Sequence, residues 1–149
     1  MENILNYING ELVAPTSGNY LDNYNPSNGE VYSLIPDSEK QDIDNAVAAA
    51  KEAFKSWSKT PKQKRSDILM KLADTIEKYS EELIKVESKD NGKPESLAAH
   101  VDIPRAPANI RFFAGAILHD SSEMHEMDGM AINYTLRQPV GVAACISPW

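Results

Sequence analysis

The sequence predicts an α/β fold in which small antiparallel strands lead into a layer of amphipathic helices and then into the first strand of a parallel sheet. Three observations carry this. The run Val140 to Ile146 is short, apolar and rich in small and β-branched residues, as in a strand covered on both faces. Apolar residues recur at three- and four-residue steps from Ile43 to Trp57 and again from Leu69 to Ile84, the period of a helix with one buried face. Asn9-Gly10 and Asp128-Gly129 each stand between short extended runs and read as hairpin turns. In open sheets covered by helices, ligands sit at the carboxyl ends of strands. Ser147-Pro148-Trp149 stand at that end of the apolar run.

Bulk properties narrow the function. The 149 residues suffice for one domain with a modest core, and 25% charged with 42% hydrophobic residues is a globular composition. A net charge of -7 argues against non-specific nucleic-acid or anionic-membrane binding. The single cysteine, Cys145, excludes an internal disulfide and any multi-cysteine metal site. The N-terminus MENILNYING lacks a basic segment followed by an apolar core, and no apolar run is long enough to span a bilayer, so the expected location is cytoplasmic.

Taken in order, Leu5–Ile8 and Glu11–Ala14 form a hairpin around Asn9-Gly10, and Tyr20–Tyr24 is a further extended piece. Asn25-Pro26-Ser27-Asn28-Gly29 is a turn before a strand over Glu30–Ile35. The first helix has Ser38 and Gln41 in capping-box spacing, and the second has Thr60 as cap, Pro61 at its first position and Gln63 closing a second box. Ser80 is a candidate division point within the second helix, and Gly92 with Pro94 stops it. A short helix covers Glu95–His100. Asp102 caps the next helix, in which Pro107 forces a late start or a bend and Ile110, Phe113, Ala114 and Ile117 are buried. Met124–Met127 and Met130–Gln138 form a second hairpin, a candidate for pairing with another subunit.

As raw chemistry the chain offers little. His100, His119 and His125 have no ligand spacing, and there is no GxGxxG, P-loop or GxSxG pattern. Cys145, inside an apolar run, reads as a core residue. Arg105 and Arg111 lie six apart and each reads, alone, as a surface ion-pair partner.

A resemblance adds to this. Tyr24-Asn25-Pro26-Ser27-Asn28-Gly29, Ala53-Phe54-Lys55-Ser56-Trp57, Asp90-Asn91-Gly92-Lys93-Pro94 and Gln138-Pro139-Val140-Gly141-Val142 leading to Ile146-Ser147-Pro148-Trp149 stand in an order and spacing that resembles the N-terminal part of the NAD(P)+-dependent aldehyde dehydrogenase superfamily. The resemblance covers essentially the whole chain. Val101-Asp102-Ile103-Pro104-Arg105, followed by Arg111-Phe112-Phe113-Ala114, resembles more narrowly the branch acting on 2-aminomuconate and 2-hydroxymuconate semialdehydes.

The resemblance implies a division into residues 1–128, the N-terminal part of an NAD-binding domain, 129–139, the strand of an oligomerisation arm, and 140–149, the first strand of a Rossmann-type sheet. It places Ile146, Ser147, Pro148 and Trp149 along the nicotinamide side of a cofactor channel, for NAD with NADP not excluded. It places Arg105 near the substrate tunnel, where a guanidinium would hold a distal carboxylate; the other reading is a helix-terminal surface arginine. Asn23, Tyr24 and Asp90 match a monovalent-cation site built from two backbone carbonyls and a carboxylate; the other reading of Asp90 is service to the helix stop. A homo-oligomer, dimer or tetramer, is implied for the full-length protein.

Nothing in the chain matches the family's nucleophilic cysteine, general-base glutamate or oxyanion-hole asparagine, and Cys145 does not match the nucleophile. The expectation is therefore a truncated N-terminal piece of an enzyme that oxidises a carboxylated semialdehyde, itself inactive and prone to aggregate. The alternative is a non-catalytic short homologue that assembles with or regulates a full-length dehydrogenase.

Overall fold

Asn9 (φ 55°) and Gly10 (φ 85°) reverse the chain between β2 (Asn6–Ile8) and β3 (Glu11–Val13), so that Ile8 pairs with Glu11 across the expected two-residue turn. The computed structural model describes residues 2–147. A second sheet has the order β1-β5-β4: β4 (Tyr20–Tyr24) runs antiparallel to β5 (Val31–Pro36), and β1 (Glu2–Asn3) joins the other edge of β5 in parallel. Between β4 and β5 the Asn25–Gly29 turn closes with the Gly29 N–H on the Asn25 carbonyl at 2.8 Å. Two residues leave no periodic signal, so β1 was not foreseeable.

The helices begin differently from the expectation. α1 (Lys40–Trp57) is not capped by Ser38, whose hydroxyl instead accepts from the Asn6 amide at 2.9 Å. Asp42 serves the terminus: Oδ2 accepts the Glu39 N–H at 2.9 Å, and Oδ1 accepts the Thr16 N–H at 2.9 Å together with the Thr16 hydroxyl. A carboxylate satisfies these donors better than a hydroxyl and sits favourably at the positive end of the helix dipole. In α2 (Lys62–Lys78) Pro61 is the cap residue itself, and Thr60 turns back to the Ser56 carbonyl. Tyr79 (φ -101°, ψ 16°) separates α2 from α3 (Ser80–Asn91), close to the expected division at Ser80. Gly92 (φ 78°) ends α3 in the left-handed region.

The next segment corrects a second expectation. Asp102 does not cap a helix, because its backbone is itself helical (φ -72°, ψ -53°). The single turn α4 (Glu95–Leu97) continues through a π-helical turn at Ala98–Asp102 into α5 (Ile103–His119). Pro107 lies buried inside α5, where the donor it lacks would have faced the Ile103 carbonyl. α2 packs on α5, with Ala73 and Ala114 fully buried where small side chains allow close approach. Phe113, expected on the buried face of α5, is exposed.

Beyond α5, β6 (Met124–Met127) and β7 (Ala131–Tyr134) form a hairpin through Asp128 (φ 43°) and Gly129 (φ 75°), closed by the Met130 N–H on the Met127 carbonyl at 2.8 Å. Every residue of both strands is exposed. The strand foreseen over 129–139 thus covers Ala131–Tyr134. Residues 140–147 form no strand, and Val140, Ile146 and Cys145 are exposed, contrary to the expected buried strand and core cysteine. An apolar run becomes a strand only when neighbouring strands supply hydrogen-bond partners, and none of the described residues does so for it. Among the described residues no helix is long and apolar enough to cross a membrane.

Candidate functional site

Two of the sequence-predicted sites are built on packed elements. In the first, Asn23 on β4 meets Asp90 in the last turn of α3. The Asn23 amide nitrogen lies 3.2 Å from Asp90 Oδ1, 3.1 Å from Ser33 Oγ and 3.0 Å from the Tyr32 hydroxyl. The Tyr32 hydroxyl donates to the same Asp90 Oδ1 at 2.6 Å, and the Lys89 ammonium stands 4.4 Å from the Tyr32 ring centre. Burial, and then the Asp90 carboxylate, push the Tyr32 phenol above its ordinary pKa. Asp90 is thus an acceptor in a β-sheet-to-helix network as well as part of a helix stop. Its Oδ1 is occupied, whereas no donor among the described residues reaches Oδ2. A carboxylate oxygen of this kind is a hard donor.

The Tyr24 hydroxyl donates to Asp22 at 3.3 Å, so its side chain takes no part in this network. Tyr32 and Ser33 were missed by sequence reasoning. The available signal was Ser33 itself, a small polar residue between Val31 and Ile35 on one strand face, which proves to be buried. No cluster of three or more His, Cys, Asp and Glu side chains among the described residues could hold a metal. His100 is engaged with the Ser96 carbonyl at 2.7 Å, in keeping with a structural role.

The second site is the outer face of α5. Arg111 is consumed by structure: its guanidinium forks between α2 carboxylates, with Nη2 2.7 Å from Asp74 Oδ1 and 2.8 Å from Glu77 Oε2, and Nη1 bonded to Glu77 Oε1. The Glu77 carboxyl is held below the ordinary glutamate range by that guanidinium. Arg105, two turns earlier, is exposed and has no ion-pair or hydrogen-bond partner among the described residues. Asn109 and Phe112 follow it at the i+4 and i+7 positions and are also exposed, Phe112 by 68%. A free cation, an amide and an aromatic ring therefore share one open helix face. Asn109 was not singled out from the sequence, and Phe112 stood out only within the Arg111–Ala114 run that carries the resemblance, because an unfilled face has the same period as a filled one. The opposite side of the segment is closed off: Ala99, Ile103, Pro104 and Pro107 line a cleft of about 270 Å³ with Glu77, Ser80 and Ile84.

The third predicted set lies only partly within the described residues. Ile146 is 93% exposed and Ser147 is exposed, while Pro148 and Trp149 lie outside the described residues.

Residues 12–149 match the Aldehyde dehydrogenase family. The chain is 51% identical over 145 residues to 2-aminomuconic semialdehyde dehydrogenase of Bos taurus, covering 97% of this chain and 29% of that protein. It is 41% identical over 154 residues to 2-hydroxymuconic semialdehyde dehydrogenase of Pseudomonas sp. (strain CF600), covering all of this chain and 32% of that protein. Its fold matches the NAD+ complex of an aldehyde dehydrogenase from Bacillus cereus with a TM-score of 0.88 and 36% identity, over 93% of this chain and 29% of that one. The chain therefore spans less than a third of the length of these relatives. A match over nearly all of the chain, with the same fold at this level of identity, shows that it belongs to the aldehyde dehydrogenase family.

Proposed function

We propose that this chain is the amino-terminal part of an NAD+-dependent oxidoreductase that converts a carboxylated semialdehyde to the corresponding acid, and that α5 supplies the group recognising the substrate's carboxylate. The observation that carries the substrate class is the contrast on α5: Arg111 is forked onto Asp74 and Glu77, whereas Arg105 presents an unpaired guanidinium beside Asn109 and Phe112. A planar cation that stays charged at all working pH values suits a carboxylate, which it can hold by two parallel hydrogen bonds. The relatives named for muconic semialdehydes, substrates carrying a carboxyl group and an aldehyde, support the same class.

The wider reading follows from the family. NAD+, when bound, accepts the hydride as the aldehyde carbon takes an oxygen from water, releasing acid, NADH and a proton. Ile146 to Trp149 are assigned to the nicotinamide side of its site, and the exposure of Ile146 and Ser147 leaves both open to a ligand. The Asn23 and Tyr24 carbonyls with Asp90 are assigned to a monovalent cation. The β6–β7 hairpin is assigned to pairing with another subunit in a dimer or tetramer, in the cytoplasm. The nucleophile and the general base come from outside these 149 residues, so the chain alone turns over no aldehyde.

Steady-state kinetics on the intact protein test this. Arg105→Gln should raise KM for a carboxylated semialdehyde by roughly 10- to 150-fold, the range for losing hydrogen bonds to a charged group, and leave an uncharged aldehyde unaffected. Equal effects on both substrates would exclude Arg105 as the carboxylate holder. Formation of NADH by the isolated 149-residue chain would overturn the assignment of the chemistry to residues beyond it.

A further inference from the structure

We propose that the ion pair between Lys93 and Asp102 fixes the wide turn at Ala98–Asp102 and thereby sets the direction in which Arg105 faces, which makes Lys93 a positioning residue for the substrate carboxylate. This rests on the reading of Arg105 given above.

Lys93 is tied to the end of α3 at three points. Its N–H donates to Asn91 Oδ1 at 2.9 Å, its carbonyl accepts the Ser88 hydroxyl at 2.6 Å, and its ammonium donates to Glu87 Oε1 at 2.9 Å. Asn91 steadies the same Glu87 oxygen at 2.6 Å. From this anchored position the Lys93 ammonium reaches Asp102 Oδ2 at 2.7 Å. Both side chains are part-buried, with 24% and 35% exposure, so the pair is somewhat less screened than one in open water.

Asp102 is the last residue of the wide turn, and the Ile103 N–H that follows bonds the Ala98 carbonyl, five residues back instead of four. One extra residue in a turn rotates everything downstream by roughly 100° about the helix axis. Arg105, Asn109 and Phe112 all lie downstream on this one helix, so the pitch of this turn decides whether the face they share stays open or swings toward a packed side. The first turns of α5 are poorly able to hold that pitch unaided, because Pro104 and Pro107 both lack the donor a helix uses. The tie from Lys93 to Asp102 supplies the constraint from outside the helix. Hydrogen bonding from Lys93 to Asp102 first, and to Glu87 second, raises the lysine pKa, so the ammonium remains charged through the neutral range.

The test is a comparison of Lys93→Met, Lys93→Arg, Asp102→Asn and Arg105→Gln in the intact dehydrogenase, each assayed with a carboxylated semialdehyde and with an uncharged aldehyde of similar length. The expected result for Lys93→Met is a KM for the semialdehyde raised on the order of tenfold, with kcat and the uncharged aldehyde unchanged, as for a misplaced binding group. Asp102→Asn should move KM in the same direction, and Lys93→Arg, which keeps the cation, should recover most of the loss. Lys93→Met kinetics identical to the parent protein, alongside a selective loss in Arg105→Gln, would overturn the role of Lys93 and leave that of Arg105 standing. Equal losses on both aldehydes in Lys93→Met and Asp102→Asn would reduce the pair to a structural tie and overturn the proposal. Absence of substrate discrimination in Arg105→Gln would remove the reading on which it rests.

Discussion

At Gly92 the chain must do two things that a side chain opposes. Its φ of 78° is left-handed, and a Cβ there would stand 3.1 Å from Pro26 Cβ in the turn between β4 and β5. The backbone conformation alone costs a non-glycine residue about 1–2 kcal/mol. Gly92→Ala should therefore destabilise the intact protein by about 2 kcal/mol, read as a lower denaturant midpoint; an unchanged midpoint would mean that the Pro26 turn yields freely. Asp42 yields a pH prediction. The Thr16 hydroxyl first, then the Glu39 and Thr16 N–H groups, hold its carboxyl below the ordinary aspartate range. A depressed folded pKa contributes stability that is present above the unfolded value, about 3.9, and is lost as pH falls through the folded one. Asp42→Asn should lower Tm at pH 7, and the gap from the parent protein should close below about pH 4; a gap independent of pH would assign the effect to something other than charge. The sequence placed a cap at this point of the chain but chose Ser38 over Asp42. Thr16, which gives Asp42 its role, lies 26 residues away and is invisible to local spacing.

At the scale of elements, the layer of helices is held mainly where α2 meets α5. Ala73 and Ala114 leave no room there, so Ala114→Leu should cost about 1–3 kcal/mol through overpacking. Hydrogen exchange in α2 and α5 of the intact protein would report it as faster opening, and unchanged protection would show that the helices can separate without cost. The helical period and the two hairpin turns made these elements legible, because both signals are local. The two-residue β1 carries too little sequence to signal, and the wide turn before α5 depends on Lys93, which is outside the helix it shapes. The same reasoning explains the sites. Arg105 and Asp90 could be named from the sequence, but the contrast between a free Arg105 and an occupied Arg111 appears only once Asp74 and Glu77, more than thirty residues earlier, are packed alongside. Val140–Ile146 shows the converse: its apolar pattern describes the environment a strand would occupy, and that environment has to be supplied by other strands.

The whole molecule exposes far more surface than its mass requires. A compact monomer of 16.5 kDa has about 7,600 Å² of accessible surface, whereas this chain has 11,529 Å². The excess is not spread evenly. Met124, Met130, Ile132, Tyr134 and Leu136 are all exposed along the β6–β7 hairpin and its continuation, and Phe112 and Phe113 are exposed on α5. The fully buried apolar side chains among the described residues are alanines, which remove little surface from water. Such a surface has too large an apolar area to remain bare. The 149 residues on their own should therefore self-associate or form a loosely packed state, with strong binding of an apolar dye and a broad, non-cooperative thermal transition. Light scattering across a concentration series, combined with near-ultraviolet circular dichroism, checks this. A monodisperse monomer with a sharp melt would contradict it and would require the helices to repack so as to cover the α5 face. Since Arg105, Asn109 and Phe112 share that face, such repacking would also withdraw the residues proposed to meet the substrate.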